Sequence, residues 1–186
     1  MHYLNIPGLY NSGEMHWQTQ WERLYPANFS RVQQACWDRP VKEEWVNTLD
    51  KAIRQLDAPT ILVAHSLGCI TVVHWAAQYA SPFIKGVLLV APADVEKSAR
   101  EYIQTFAPVP LQQLAIPSVV VASMNDPHCA IDRSAKWAAY WRSRFVPVGH
   151  LGHINSDSNI HDWPEGMAIL QELENAIGVR QYSAAC

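Results

Sequence analysis

A serine hydroxyl is a weak nucleophile at neutral pH, so a chain that uses one must hold it exposed, beside a base and near hydrogen-bond donors. The run Thr60-Ile61-Leu62-Val63-Ala64-His65-Ser66-Leu67-Gly68-Cys69 offers that setting. An apolar segment of strand length delivers Ser66 into a turn of small residues that opens a helix. The pattern G-x-S-x-G of a nucleophile elbow reads here Ala64-His65-Ser66-Leu67-Gly68, with Ala64 in place of the first glycine. A sharp strand-to-helix turn projects the side chain and aims free helix N-terminal amides into the same space. The competing reading is an ordinary strand and helix with Ser66 as the N-cap.

A serine nucleophile needs a histidine to take its proton and a carboxylate to orient that histidine. In an open parallel sheet such groups meet at the carboxyl ends of strands, so the candidates must directly follow apolar runs. Ser123-Met124-Asn125-Asp126-Pro127 supplies Asp126, and Gly149-His150-Leu151-Gly152-His153-Ile154-Asn155 supplies two histidines. An Asp-Pro pair alone is a turn signal, and a histidine in a glycine-bearing loop is unremarkable. The order Ser, Asp, His is that of α/β-hydrolases, and the joint placement points to a Ser-His-Asp set. The residues themselves leave His150 and His153 both open. The pair His150-x-x-His153 has no third ligand cluster beside it, so no metal site is expected. His65, His74 and His128 read as packing or turn residues.

Apolar runs at Tyr3 to Ile6, Arg31 to Gln34, Thr60 to Ala64, Ile84 to Val90, Ser118 to Ala122 and Ser143 to Val148 read as strands. The third, fourth and fifth are apolar almost throughout, as strands covered on both faces are. Parallel strands need crossover helices, expected at Glu14 to Leu24, Val41 to Gln55, Leu67 to Tyr79 and Asp132 to Trp141. A last helix has Asp162 as its cap and Pro164 in its first turn; Met167, Leu170, Leu173 and Ile177 recur on one face, and Gly178 is its expected end. The expected fold is a three-layer α/β/α sandwich with a mostly parallel sheet of about six strands. The long connection Pro92 to Pro117 is a candidate lid or pocket wall.

The chain of 186 residues suits one domain over 1–186. Apolar residues make up 49% and charged residues 17% of it, the balance of a globular protein. A formal charge of -3 gives no electrostatic case for nucleic acid or an anionic membrane. No basic leader or membrane-length apolar run is present, and a cytoplasmic protein is expected. Cys36, Cys69, Cys129 and Cys186 are scattered and form no C-x-x-C pair. The phosphate-loop and dinucleotide fingerprints are missing, so no cofactor is expected.

Pro7-Gly8 after the first strand, His65-Ser66-x-Gly68, Asn125-Asp126-Pro127 and Gly152-His153 stand in an order that spans most of the chain. In these pieces it resembles the compact serine hydrolase family of retinoblastoma-binding protein nine and the bacterial YdeN-type proteins, a minimal α/β-hydrolase fold without a large cap domain. The bacterial members are especially similar over Gly149 to Asn155 and Asp162-Trp163-Pro164-Glu165-Gly166. The resemblance implies His153 as the base, since the family's histidine follows a glycine and precedes an apolar residue and then an amide. It further implies a serine hydrolase with no metal or organic cofactor.

The mechanism expected has Ser66, His153 and Asp126 acting through an acyl-enzyme on a small acyl ester, thioester or amide. The backbone N–H groups of Leu67 and Leu9 would form the oxyanion hole. Trp17, Trp21, Phe106 and Trp163 are candidates for an apolar pocket lining. The alternative class is a protein-binding module that keeps the fold with little catalysis. The L-x-C-x-E segment associated with retinoblastoma binding does not occur here, so that partner is not carried over.

Overall fold

The computed structural model describes residues 1–183; Cys186 lies outside them. Six strands, β1 (His2–Ile6), β2 (Phe29–Arg31), β3 (Thr60–His65), β4 (Ile84–Val90), β5 (Ser118–Ser123) and β6 (Arg144–Val148), form one sheet in the order β2-β1-β3-β4-β5-β6. All five pairings are parallel. Each crossover therefore carries chain over a face of the sheet; the helices α1 (Trp17–Leu24), α2 (Lys42–Arg54), α3 (Leu67–Ala76), α4 (Glu101–Gln104) and α5 (Ile131–Trp141) lie in the five crossovers, and α6 (Pro164–Ser183) follows β6.

Alternation along β3 divides the core into two layers. Leu62 and Ala64 face Trp45 and Leu49 of α2, Ile70 and Val73 of α3 and Trp137 of α5. Ile61 and Val63 face Trp17 and Trp21 of α1 and Leu170, Leu173 and Ile177 of α6. Every residue of β3 is buried, which accounts for its unbroken apolar run. The strands β3, β4 and β5 occupy the middle of the sheet, where both faces are covered.

The largest departures from the sequence reading fall on four elements. The strand expected at Arg31 to Gln34 pairs instead at Phe29–Arg31, because Phe29 stacks on Tyr3 with ring centroids 4.6 Å apart while the Gln34 amide turns away to the carbonyl of Trp45. Helix α1 begins at Trp17 because His16 caps it, its Nδ1 accepting from the Gln18 amide. Helix α3 closes at Ala76, where the Ala77, Gln78 and Tyr79 amides fold back on Val73 and Trp75. Helix α6 does start at Pro164, but the residue before it is Trp163 at φ +44°, not Asp162, and the helix continues past Gly178 to Ser183.

The sheet's carboxyl edge is fixed by one close backbone approach. A Cβ placed on Gly68 would lie 2.2 Å from the Ile6 carbonyl oxygen and 2.7 Å from that of Pro7. Helix α3 thus rests its first turn directly on the end of β1. Replacing Gly68 by alanine is expected to cost about 3 kcal/mol, because backbone atoms cannot yield as a side chain could. Gly13, around which a Cβ meets nothing within 4 Å, should accept alanine within about 0.5 kcal/mol. Urea unfolding of the two variants distinguishes them, and equal stabilities would contradict the close packing.

Candidate active site

Ser66 sits between β3 and α3 at φ 55° and ψ −120°, a strained conformation for a residue with a side chain. Its hydroxyl makes no cap bond to the helix, which removes the N-cap reading. The Oγ instead lies 2.8 Å from Nε2 of His153. On the other side of that ring, Nδ1 is 2.9 Å from Oδ2 and 3.0 Å from Oδ1 of Asp126. With the ring proton on Nδ1 donated to Asp126, Nε2 is free to accept from the serine. The side chains of His153 and Asp126 are only 9% and 2% exposed, so water competes little for these bonds. His150 is exposed and is not part of this chain of contacts.

Several elements hold the three groups in register. Asn125 accepts from the Gly152 amide at 2.8 Å, and Ser123 Oγ accepts from the Leu151 amide at 2.9 Å. Those bonds tie the loop after β5 to the loop after β6. Asp126 Oδ1 also accepts from the His128 amide at 2.8 Å, which closes a turn around its carboxylate. Beyond His153, Ile154 is completely buried at φ +49°, and its carbonyl accepts from Trp17 Nε1 at 2.9 Å. Asn155 then caps the turn Ser156–Ser158.

The residue before the nucleophile has a specific contact. His65, which sequence reasoning passed over as packing, lies 2.9 Å from the carbonyl oxygen of His153 through Nε2, so its ring N–H supports the backbone of the residue beside Ser66. A second histidine, His16, packs edge-on against His65 with centroids 4.7 Å apart, and His128 packs edge-on against His153 at 4.5 Å. No spacing rule links residues 16, 65, 128 and 153, so only the fold brings them together.

The loop after β1 reaches the same point. A Cβ on Gly8 would come within 2.8 Å of Ser66 Cβ and 3.3 Å of the Leu67 amide nitrogen, so glycine admits the loop against the elbow. Leu67 opens α3 and its amide has no intrahelical acceptor. Leu9 and Leu67 both line a cavity of about 700 Å³ that contains Ser66 and His153. The segment Ala93 to Ile103 supplies one wall, as expected of the long connection.

The expected aromatic lining is not found. Trp17, Trp21, Phe106 and Trp163 are 0–1% exposed and belong to the two core layers. The tryptophans among them use their polar edge structurally: Trp17 Nε1 donates to Ile154 and Trp21 Nε1 to the carbonyl of Asp162. An indole filling a helix–sheet gap while stapling a loop has no surface left for a ligand. Cys69 is buried, with its thiol pushed well up by desolvation, and Cys129 is pushed up to about 11 mainly by burial. Neither thiol is set up as a nucleophile. Among the described residues no group of three or more His, Cys, Asp or Glu side chains is placed to hold a metal, and no helix is long and apolar enough to cross a membrane.

Residues 3–172 match the serine hydrolase family. The chain belongs to that family. Among solved structures, this serine hydrolase is similar to a protein described as a YdeN-like hydrolase from Pectobacterium atrosepticum, at 31% identity and TM-score 0.85 over 95% of this chain and 91% of that one. The ydeN gene product of B. subtilis matches at 20% identity and TM-score 0.71, over 94% of this chain and 100% of that chain. A monoacylglycerol lipase from Paleococcus ferrophilus shares the fold at 13% identity and TM-score 0.65, covering 92% and 93% of the two chains. No curated protein matches the sequence.

Burial dominates the electrostatics of the histidine neighbours. It pushes His16 down to about 3 and His65 well below the usual imidazole range, and the Arg31 guanidinium adds to the effect on His16. A histidine held neutral in the fold but free to protonate when unfolded makes the unfolded state bind more protons, so stability falls as pH falls below the ordinary imidazole value. His16 alone should remove about 2 kcal/mol between pH 7 and pH 5. The melting temperature is therefore expected to drop by several degrees over that interval, and His16→Asn, which keeps an acceptor for the helix cap, should flatten the drop.

Proposed function

We propose that this hydrolase cleaves small carboxylic esters through a Ser66-His153-Asp126 triad and an acyl-enzyme. The single observation that carries this reading is the continuous hydrogen-bond chain from Ser66 Oγ through His153 to Asp126, at 2.8 Å and 2.9 Å, opening on a cavity. In the first step Ser66 Oγ bonds to the substrate carbonyl carbon while its proton passes to His153 Nε2. Asp126 holds Nδ1–H and stabilises the imidazolium that forms. The carbonyl oxygen, now negative, accepts in this reading from the amides of Leu67 and Leu9, two residues that line the cavity.

Collapse of that intermediate breaks the bond to the leaving alkoxide, which takes the proton back from His153 and departs as the alcohol. A water molecule then gives a proton to His153, adds to the acyl carbon and, after collapse, leaves the carboxylic acid and a free Ser66 hydroxyl. The cycle consumes one ester and one water and returns one acid and one alcohol. The acyl ester of a small molecule is the substrate class, because no cap domain encloses the cavity and its volume of about 700 Å³ is that of a small-molecule site.

Treatment with a fluorophosphonate followed by intact-mass measurement tests the reading. One adduct is expected on the native chain and none on Ser66→Ala; a folded native chain that takes no adduct would falsify it. Asp126→Asn should keep the fold while lowering kcat for a p-nitrophenyl ester on the order of 10⁴-fold, since the amide stabilises the wrong imidazole tautomer. An Asn variant with undiminished kcat would remove Asp126 from the mechanism.

A further inference from the structure

The ionised groups on the cavity lining are unequally committed. Asp94, whose side chain is 4% exposed, faces the guanidinium of Arg133, with Nε 3.5 Å from its Oδ2. Glu96, two residues on, is also taken by Arg133 and accepts from the Val109 amide at 3.1 Å. The acids of this segment therefore have partners inside the protein. Its bases do not: Lys97 and Arg100 are exposed, line the cavity and form no ion pair among the described residues.

The backbone presents these two cations together. The Lys97 amide donates to the Asp94 carbonyl and the Arg100 amide to Ser98 Oγ, so residues 94–100 turn back on themselves along the cavity wall. Arg100 lies within electrostatic reach of His128, which is pushed down first by its own partial burial and then by the charges of His153 and Arg100, against the pull of Asp126. The His128 ring in turn packs 4.5 Å from that of His153. Asp157, the remaining acid of the lining, is exposed on the Ser156–Ser158 turn that follows the catalytic histidine, away in sequence from the 94–100 wall. Among the described residues Lys97 and Arg100 outnumber Asp157 in the lining, so its uncommitted side chains are net positive in a chain of formal charge -3.

We propose that Lys97 and Arg100 bind an anionic group, a carboxylate or a phosphate, carried by the ester that Ser66 attacks. The proposal rests on the serine hydrolase reading and narrows its substrate class. A cavity wall bearing two cations lowers the potential energy of an anion there. Arg100 adds a planar fork matched to either oxyanion. Because the contact is made to a part of the substrate that does not react, it is present in the ground state and the transition state alike and acts on KM.

Two matched pairs of esters test which side of the scissile bond carries the charge. The first is 4-acetoxybenzoate against methyl 4-acetoxybenzoate, anionic or neutral in the leaving group. The second is hydrogen p-nitrophenyl glutarate against p-nitrophenyl pentanoate, anionic or neutral in the acyl group. Each kcat/KM is divided by the rate of the same ester with hydroxide. In at least one pair the anion should be preferred about tenfold, mostly through KM. K97Q/R100Q should bring that ratio near unity and K97E/R100E should invert it. Raising salt from about 0.05 M to about 0.5 M should shrink the native ratio, which decides the matter even if the variants fail to fold.

Neutral esters preferred in both pairs, or an anion preference that survives K97E/R100E, overturns the proposal. Fluorophosphonate labelling of the native chain separates the two levels. Labelling at Ser66 without charge discrimination rejects the anion site alone, whereas no labelling rejects the hydrolase reading and this inference with it.

Discussion

The site depends on one contact between backbones, the seating of the first turn of α3 on the end of β1. Gly68 is the only residue type that allows it, since any Cβ would stand within 2.2 Å of the Ile6 carbonyl oxygen. Once that turn is seated, β3 must hand over to α3 within a single residue, and Ser66 takes the positive φ that the hand-over requires. Gly8 repeats the arrangement from the other side, packing its Cα against Ser66 and the Leu67 amide. The strained serine is thus over-determined by two glycine contacts, which is the condition under which strain of this kind persists. The same contacts bring residues 9, 66 and 67 to one cavity, so their shared position follows from a single packing event.

Two further loops must then meet Ser66, and they are secured by different means. The loop bearing Asp126 is short and is bonded sideways to its neighbour through Ser123 and Asn125. The loop bearing His153 is longer and is anchored from below. Ile154 is driven into the core, and Trp17 of α1 holds its carbonyl from across the sheet face. Trp21 does the same for the carbonyl of Asp162, just before α6. Both tryptophans thus contribute to the candidate site from within the core, by converting burial into the position of the loop that carries His153.

This division explains what could be read from the sequence and what could not. The middle strands were legible because burial on both faces leaves a continuous apolar run, and the catalytic candidates were legible because the fold confines them to strand ends. Ser66, Asp126 and His153 each follow a strand directly, and the structure brings all three into hydrogen-bond contact. The edge strand β2 was displaced in the reading because its three residues are set by pairing with β1 and by the Phe29 to Tyr3 stack, neither of which leaves a local pattern. The C-terminal helix was shortened because Gly178 is a stop signal only when the chain needs to turn there. The tryptophans were misplaced for a deeper reason: composition reports a large amphipathic ring but not which way its N–H is satisfied. Nor could His16 and His65 be placed, because their partners lie on other elements.

Those two histidines bear on how a neutral base survives next to other imidazoles. Four imidazole rings, His16, His65, His128 and His153, form a chain of ring contacts with centroids 4.5 to 4.9 Å apart. If His16 or His65 carried a proton, its charge would oppose the imidazolium that the proposed mechanism forms on His153. Burial prevents this, since it disfavours the charged form of both rings. His65 remains useful in its neutral state, donating from Nε2 to the His153 carbonyl. The carboxylate of Asp126, bonded directly to the His153 ring, is then the charged partner of that ring, while the two buried histidines stay neutral. Desolvating the neighbouring histidines and orienting the catalytic one are in this sense the same act of packing.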